Sequence, residues 1–264
     1  MKKNLVFLVV LDILTMGAAE GAAFAVPVQT RESVKRVVMA NAVENQVVMF
    51  GGVHGTYRED EDFVAELIPS LKEDGFTYLA LEFEYRPRKD SLHEVIQDYA
   101  SGRLTRESMR TMWIRREQRI CAGTFDLIDT AKKAGMKVVF YDADESRYKS
   151  WSDREKMAFH HLEQIIFTRD PVAKVVVFCG AWHINKKPHE DASADLRRGP
   201  AGSIKYLAYY IDELFKNQTF TVSLLGPLYA DVITPYCDLV LDPEANTYYY
   251  PKQALHTRYF LKTH

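Results

Sequence analysis

Short apolar runs alternate with longer stretches that place apolar residues at helical spacing along most of the chain. The apolar runs lie at 47–50, 77–83, 137–141, 175–179 and 220–225, with a shorter candidate at 237–241. Between the first two runs, Phe63, Leu67 and Leu71 recur at helical spacing. Continuous apolar runs predict strands that are covered on both faces, and their alternation with helices predicts a mostly parallel sheet. The predicted fold class is α/β, with a mostly parallel central sheet and helices on both faces.

Three further helical stretches lie between the second and third predicted strands, at 91–99, 105–119 and 125–134. They predict a helical insertion between these strands. Ser152 is followed three residues later by Glu155, which fits a capping box and predicts a helix start there. Residues 185–202 are polar and include Pro188, Gly199 and Pro200, which predicts a loop.

The N-terminus has the pattern of a secretory signal peptide. Lys2 and Lys3 precede an apolar stretch at 5–16, and Ala23-Phe24-Ala25 is a small-x-small cleavage site. We therefore predict a signal peptide over 1–25, a single domain over 26–264, and export to the periplasm or the medium. An uncleaved anchor is the alternative, but the apolar stretch is shorter than the roughly 20 residues of a membrane span.

Charge and cysteine content exclude some functions. The formal net charge is -2, which gives no basic footprint for a nucleic acid partner. The three cysteines are Cys121, Cys179 and Cys237, and an odd number leaves at least one unpaired. Cys179 ends an apolar run and is interpreted as a core residue, with a nucleophilic role as the weaker alternative. A bridge between Cys121 and Cys237 stays open.

Ionisable residues follow several of the predicted strands. The elements Gly51-Gly52-Val53-His54 and Gly180-Ala181-Trp182-His183 share the form Gly-x-x-His, and each ends a strand. Glu82 and Glu84 end a third strand, and Asp142 and Asp144 a fourth. In open α/β sheets the ligand crevice lies outside the carboxyl ends of the strands. The sequence therefore predicts a site at this edge, with His54, Glu82, Glu84 and His183 as catalytic candidates.

Two chemistries remain open for this set. His54, Glu82 and His183 together could hold manganese, cobalt or zinc, with a bound water activated for hydrolysis. In the metal-free alternative, His54 is a general base and a glutamate is its partner. Because side chains alternate along a strand, Glu82 and Glu84 are expected on one face, where a shared site would raise the pKa of one carboxyl.

Three more residues are candidates for binding a small-molecule or peptide substrate. Arg58 and Arg116 could bind a substrate carboxylate or stabilise an oxyanion. Trp182 could line a pocket. The alternatives are solvated helix faces for the arginines and core filling for the tryptophan.

Several short motifs resemble the superfamily that joins erythromycin esterases, ChaN-like haem-uptake proteins and the Tiki/TraB proteins. His54-Gly55-Thr56 is similar to the first histidine motif of the esterases, and Gly180-Ala181-Trp182-His183 to the second. Ala80-Leu81-Glu82-Phe83-Glu84 resembles their acidic strand, Trp113 with Arg116-Glu117 their tryptophan-bearing helix, and Asp153-Arg154 with Met157-Ala158 their arginine helix. The resemblance covers roughly residues 47–241.

The resemblance implies an exported hydrolase of an ester or amide bond, esterase-like or metalloprotease-like. It also implies two alternatives, namely a protein that binds haem non-covalently for iron uptake and a catalytically inactive binding module. One departure concerns Gly52, because many relatives carry a glutamate at this position. If that glutamate is catalytic in them, its role here is vacant or passes to Glu82 or Glu84.

Overall fold

The structure is a computed structural model that describes residues 30–53, 58–87, 89, 91–108, 122–144, 146–190, 203–216, 218–225, 234, 236–243 and 247–249. The predicted signal peptide, His54, Arg116 and Cys121 lie outside these residues. Within the described ranges, no helix combines the length and the apolar character that a membrane span requires.

The central sheet has seven described strands in the order β3-β2-β4-β1-β7-β8-β9. The strands are β1 Val47–Gly52, β2 Phe76–Glu84, β3 Lys137–Asp142, β4 Lys174–Gly180, β7 Thr219–Ser223, β8 Leu239–Asp242 and β9 Thr247–Tyr249. All neighbouring pairs are parallel except β8 and β9. A separate antiparallel ribbon pairs β5 His189–Glu190 with β6 Ser203–Ile204. The predicted α/β class is confirmed.

Helices cover both faces of this sheet. They are α1 Arg31–Ala42, α2 Arg58–Glu73, α3 Leu92–Ala100, α4 Ala122–Lys133, α5 Trp151–Leu162 and α6 Leu207–Phe215. Helices α1 to α4 pack in one hydrophobic cluster, whereas α5 and α6 pack in the other. Helices α3 and α4 lie between β2 and β3 in the chain, but 109–121 is outside the described residues, so the extent of the insertion stays a prediction.

Alternation along β1 shows how the strands divide their side chains between the two faces. Val48 and Phe50 belong to the cluster under α1 to α4, whereas Val47 and Met49 belong to the cluster under α5 and α6. Because side chains of a strand point alternately to opposite faces, the next two positions also face opposite sides. Residue 51 therefore faces the side of α5 and α6, and residue 52 faces the side of α2.

The start of α5 differs from the prediction. Ser150 is the N-cap, and its hydroxyl accepts a hydrogen bond of 3.2 Å from the backbone N–H of Asp153. Ser152 lies inside the helix, and Glu155 is fully buried instead of capping. The predicted capping box is wrong because a serine two residues earlier satisfies the free N–H groups, which releases Glu155 for a contact in the core.

Candidate functional site

The carboxyl ends of β1 and β4 lie side by side, with Gly52 paired to Gly180 in the register. A short 3-10 turn, Ala181–Ile184, follows β4 and packs against β1. A Cβ atom at Gly51 would lie 2.9 Å from Ile184 Cγ2 and 3.0 Å from Ala181 Cα. Only glycine permits this close approach, which sets the position of the turn and of the histidine on it.

His183 lies on this turn between two carboxylates. Its Nδ1 is 2.8 Å from Glu155 Oε2, and its Nε2 is 2.9 Å from Glu82 Oε1. Burial alone would lower the pKa of His183, but Glu155 and Glu82 outweigh this effect and raise the pKa to about 10. At neutral pH the ring is therefore an imidazolium that donates one N–H to each carboxylate.

Arg154 projects from α5 toward the same carboxylate of Glu82. Its Nη2 donates to Glu82 Oε1 and, at 2.7 Å, to Asp142 Oδ2, while its Nε donates to Asp142 Oδ1 at 3.1 Å. Its Nη1 lies 3.2 Å from His183 Nε2. Burial opposes the charged form, but Glu82 and Asp142 hold the pKa of Arg154 above its ordinary value. The guanidinium is thus a fixed positive charge.

Glu82, Asp142, Arg154, Glu155 and His183 form what we call the charged cluster. Two backbone N–H groups complete it, because Gly180 donates to Glu82 Oε2 at 2.6 Å and Leu207 donates to Glu155 Oε2 at 2.8 Å. The side chain of Glu155 is 1% exposed and that of Arg154 is 12% exposed. Buried charges cost several kcal/mol each unless they are paired and hydrogen-bonded, as these are.

The cluster contains residues that the sequence prediction did not include in the site, namely Arg154 and Glu155. A signal for Glu155 exists in the helical pattern, since Glu155, Ala158 and Leu162 share the buried stripe of α5. A charged residue in an apolar stripe indicates a buried polar partner. Asp142, which the sequence places at a strand end, and the predicted catalytic residues Glu82 and His183 do come together.

Glu82 and His183, two of the three predicted metal ligands, contact other charged groups in the described structure. Both ring nitrogens of His183 face carboxylates, and Arg154 holds the Glu82 oxygen that a metal would require. Among the described residues, no group of three or more His, Cys, Asp or Glu could hold a metal ion. The positive charge of the site comes from Arg154 and His183 instead, and the third predicted ligand, His54, is outside the described residues.

Glu84 has different partners from Glu82. Its Oε1 lies 3.8 Å from His93 Nδ1, and its backbone N–H donates to the same nitrogen at 3.0 Å. The pairing of β2 with β3 shifts its register between Leu81 and Glu84. Glu84 thus lies against His93, whereas Glu82 lies against Arg154 and His183.

Of the predicted substrate-binding residues, Arg58 and Trp182 are described and are not members of the charged cluster, whereas Arg116 lies outside the described residues. Arg58 is half exposed and forms ion pairs of 3.0 Å with Asp62 and 2.9 Å with Asp126. Trp182 is half-buried and stacks on Tyr206 at 6.1 Å between ring centroids. Their roles in substrate binding stay predictions.

The described cysteines are core residues. Cys179 is fully buried, and its thiol donates to the carbonyl oxygen of Phe50 at 3.6 Å. Burial raises the pKa of the Cys179 thiol and raises that of Cys237 to about 12. Both are free thiols, so Cys237 forms no bridge. A buried thiol with a raised pKa is a poor nucleophile, which agrees with the core interpretation of Cys179.

A cavity of about 100 Å³ adjoins the cluster at Asp142. Tyr85, Arg86, Arg147 and His161 are among its lining residues. Polar and charged side chains contribute to its lining, and it lies beside β3, the outer strand at one side of the described sheet. A small polar group can therefore reach the carboxylate that holds Arg154.

Comparison with known proteins gives weak likenesses. No known protein family profile and no curated protein matches the chain. Among solved structures, the C-terminal region of the Pasteurella multocida toxin, described as having a thiol-protease-like catalytic triad, has a TM-score of 0.49 at 14% identity, over 84% of this chain and 26% of the toxin chain. A Bacillus cereus protein has a TM-score of 0.47 at 11% identity, over 74% of both chains.

The ChaN protein of Campylobacter jejuni, described with cofacial haem binding, has a TM-score of 0.43 at 12% identity, over 73% of this chain and 87% of that one. The chain spans only 26 to 37% of the length of the toxin chains that it resembles.

Proposed function

We propose that this chain is an exported hydrolase of an ester or amide bond, with a centre that works without a metal ion. The observation that supports it most is the pair of buried cations, Arg154 and His183, on one oxygen of Glu82. Such a pair is costly for stability, and perturbed ionisable groups in this arrangement are typical of functional sites.

The chemistry follows from the fixed positive charge. When water adds to a carbonyl carbon, negative charge develops on the carbonyl oxygen, and preorganised donors stabilise it best. Arg154 Nη1 is the donor of the guanidinium that no carboxylate of the cluster binds, so it is the group that we assign to this oxygen. Glu82 and Asp142 hold the guanidinium in place, and Glu155 does the same for His183.

The proton acceptor for the attacking water is not His183, because its ring is already protonated at neutral pH. The sequence predicts His54 for this role. The export of the protein rests on the predicted signal peptide over 1–25 and is part of the proposal.

A panel of chromogenic p-nitrophenyl esters and p-nitroanilides tests this function. We expect hydrolysis that survives EDTA, and a loss of about 100-fold or more in kcat/KM for Arg154→Lys and His183→Gln, because an oxyanion donor is lost or moved. His160→Gln on the exposed side of the same helix is the matched control and keeps its activity. Loss of activity in EDTA with recovery on adding manganese, cobalt or zinc would instead support the metal reading.

One observation favours haem binding as a second candidate. Tyrosine and histidine are both residue types that ligate haem iron. Tyr85 and His161 lie together in the cavity wall, with their ring centroids 4.8 Å apart. His161 Nδ1 is 2.9 Å from the carbonyl oxygen of Tyr141, which leaves Nε2 for a ligand. The cavity of about 100 Å³ is too small to enclose a porphyrin, so we rank this function second. Titration with haemin decides it, since a Soret shift lost in Tyr85→Phe and His161→Gln is the expected signature.

A further inference from the structure

Asp60 occupies the space that a side chain on residue 52 would take. It lies in the first turn of α2, is 3% exposed, and its Oδ2 accepts a hydrogen bond of 3.2 Å from the backbone N–H of Val53. A Cβ atom on Gly52 would lie closer to Asp60 Oδ2 than two non-bonded atoms can approach. Asp60 can therefore occupy this position only because residue 52 is a glycine without a side chain.

This position brings a further carboxyl to the edge of the sheet that carries the charged cluster. Gly52 pairs with Gly180 on the neighbouring strand, and Gly180 N–H donates to Glu82. Neighbouring strands are about 4.8 Å apart. Asp60 thus reaches the end of β1 from the side of α2, one strand from the point where Glu82 is bound.

The surroundings of Asp60 are acidic. Glu59 and Glu61 on its own helix and Asp242 on β8 raise the pKa of Asp60, because like charges disfavour its ionised form. The hydrogen bond from the backbone N–H of Val53 lowers this pKa. Burial is the largest influence and raises the pKa of Asp60 to about 7. A carboxyl with this pKa exchanges protons readily near neutral pH, which is the property of a general base.

We propose that Asp60, in place of the His54 that the sequence predicts for this step, is the proton acceptor of the site, delivered from α2 to the place where Gly52 has no side chain. The proposal rests on the hydrolytic function above. As water oxygen bonds to the substrate carbonyl carbon, one water proton passes to the Asp60 carboxylate and the carbonyl electron pair moves to its oxygen. When the C–O or C–N bond breaks, that electron pair re-forms the carbonyl, and the proton passes from Asp60 to the leaving alcohol or amine.

The pH profile of hydrolysis tests the role. We expect kcat/KM of the wild type to rise with pH around a midpoint near 7. Asp60→Asn keeps the acceptor oxygen for Val53, lowers kcat/KM by about 100-fold or more and abolishes this rise. Asp74→Asn, just beyond the far end of the same helix, is the control and changes neither. An Asp60→Asn enzyme within about threefold of wild type that keeps the rise overturns the proposal.

A stability measurement tests the placement without any substrate. Gly52→Ala is expected to lower Tm by about 5 °C, because the new methyl group meets Asp60, and to lower it much less in an Asp60→Ala background. An equal loss in both backgrounds means that Asp60 is not where we place it, and overturns the proposal. Wild type that hydrolyses nothing in the panel refutes the hydrolytic function itself, whereas an active wild type with an active Asp60→Asn variant refutes only the role of Asp60.

Discussion

The two faces of the sheet hold buried carboxyls under opposite electrostatic conditions. On the side of α5, Glu155 and Glu82 flank His183, and their charges outweigh its burial and raise its pKa to about 10, although burial still raises the pKa of Asp142 beside Arg154. On the side of α2, Asp60 is surrounded by other acids, and burial raises its pKa to about 7. Pairing with carboxylates thus keeps His183 protonated at neutral pH on one face, whereas Asp60, among acidic neighbours, titrates near neutral pH on the other.

Removing Arg154 is expected to have the largest effect on the stability of the paired face. Arg154→Ala leaves Glu82 and Asp142 buried without their counter-charge, and we expect a loss of about 5 kcal/mol in the free energy of unfolding. Urea unfolding followed by circular dichroism measures it. Arg147→Ala, which removes a half-exposed arginine 3.5 Å from Asp144, is the matched control and costs less than about 1 kcal/mol. Equal costs for the two variants would contradict the pairing.

The pairing of His183 predicts a dependence of stability on pH. Since its folded-state pKa is raised to about 10 from 6.5, the stability that it contributes is complete below pH 6.5 and is lost as pH rises through 10. The shift corresponds to an upper limit of roughly 5 kcal/mol, at 1.4 kcal/mol per pKa unit. Chemical unfolding from pH 6 to 10.5, compared with His183→Gln, checks this. Parallel curves for the two proteins would mean that the imidazolium is not formed.

The raised pKa of Asp60 also predicts that stability falls as pH rises, but over a lower pH range than for His183. Its folded-state pKa is raised from 3.8 to about 7, so its protonated form stabilises the protein fully below pH 3.8 and this contribution is lost as pH rises through 7. The upper limit is roughly 4 kcal/mol. The difference in unfolding free energy between wild type and Asp60→Asn, measured from pH 4.5 to 8, should fall and then level off. A difference that stays constant over this range would show that Asp60 ionises with an ordinary pKa.

The smallest effect is expected for substitution of Cys179, which tests whether its thiol is a core group or a nucleophile. Cys179→Ala removes one buried sulfur atom and is expected to cost about 1 kcal/mol of stability while hydrolysis stays within about twofold of wild type. A loss of activity comparable to that of His183→Gln would make Cys179 a nucleophile and refute its core assignment.

The sequence predicts that Glu82 and His183 lie at the carboxyl ends of parallel strands. It predicts only part of the ion pairs in the charged cluster. Glu82 and His183 were placed together because parallel strands end at one edge of the sheet. The spacing of Ser152 and Glu155 predicts a cap, whereas the position of Glu155 in one stripe with Ala158 indicates burial, which the structure shows. Asp60 has the same kind of signal, since it lies one turn before the buried Val64 on α2. A charge in an apolar stripe indicates burial, but a linear pattern does not identify the partner.

Hydrophobic patterning by itself determined the strand and helix order and the α/β class, because the periods of strands and helices depend on local geometry alone. The tertiary structure decided that the guanidinium of Arg154 pairs with Glu82, and that the empty position at Gly52 receives Asp60 from a helix that begins six residues later. The Arg154–Glu82 pair and the fit of Asp60 against Gly52 both depend on distances between residues that belong to different strands and helices. Burial and opposite charge act through those distances, so charge states are properties of the fold.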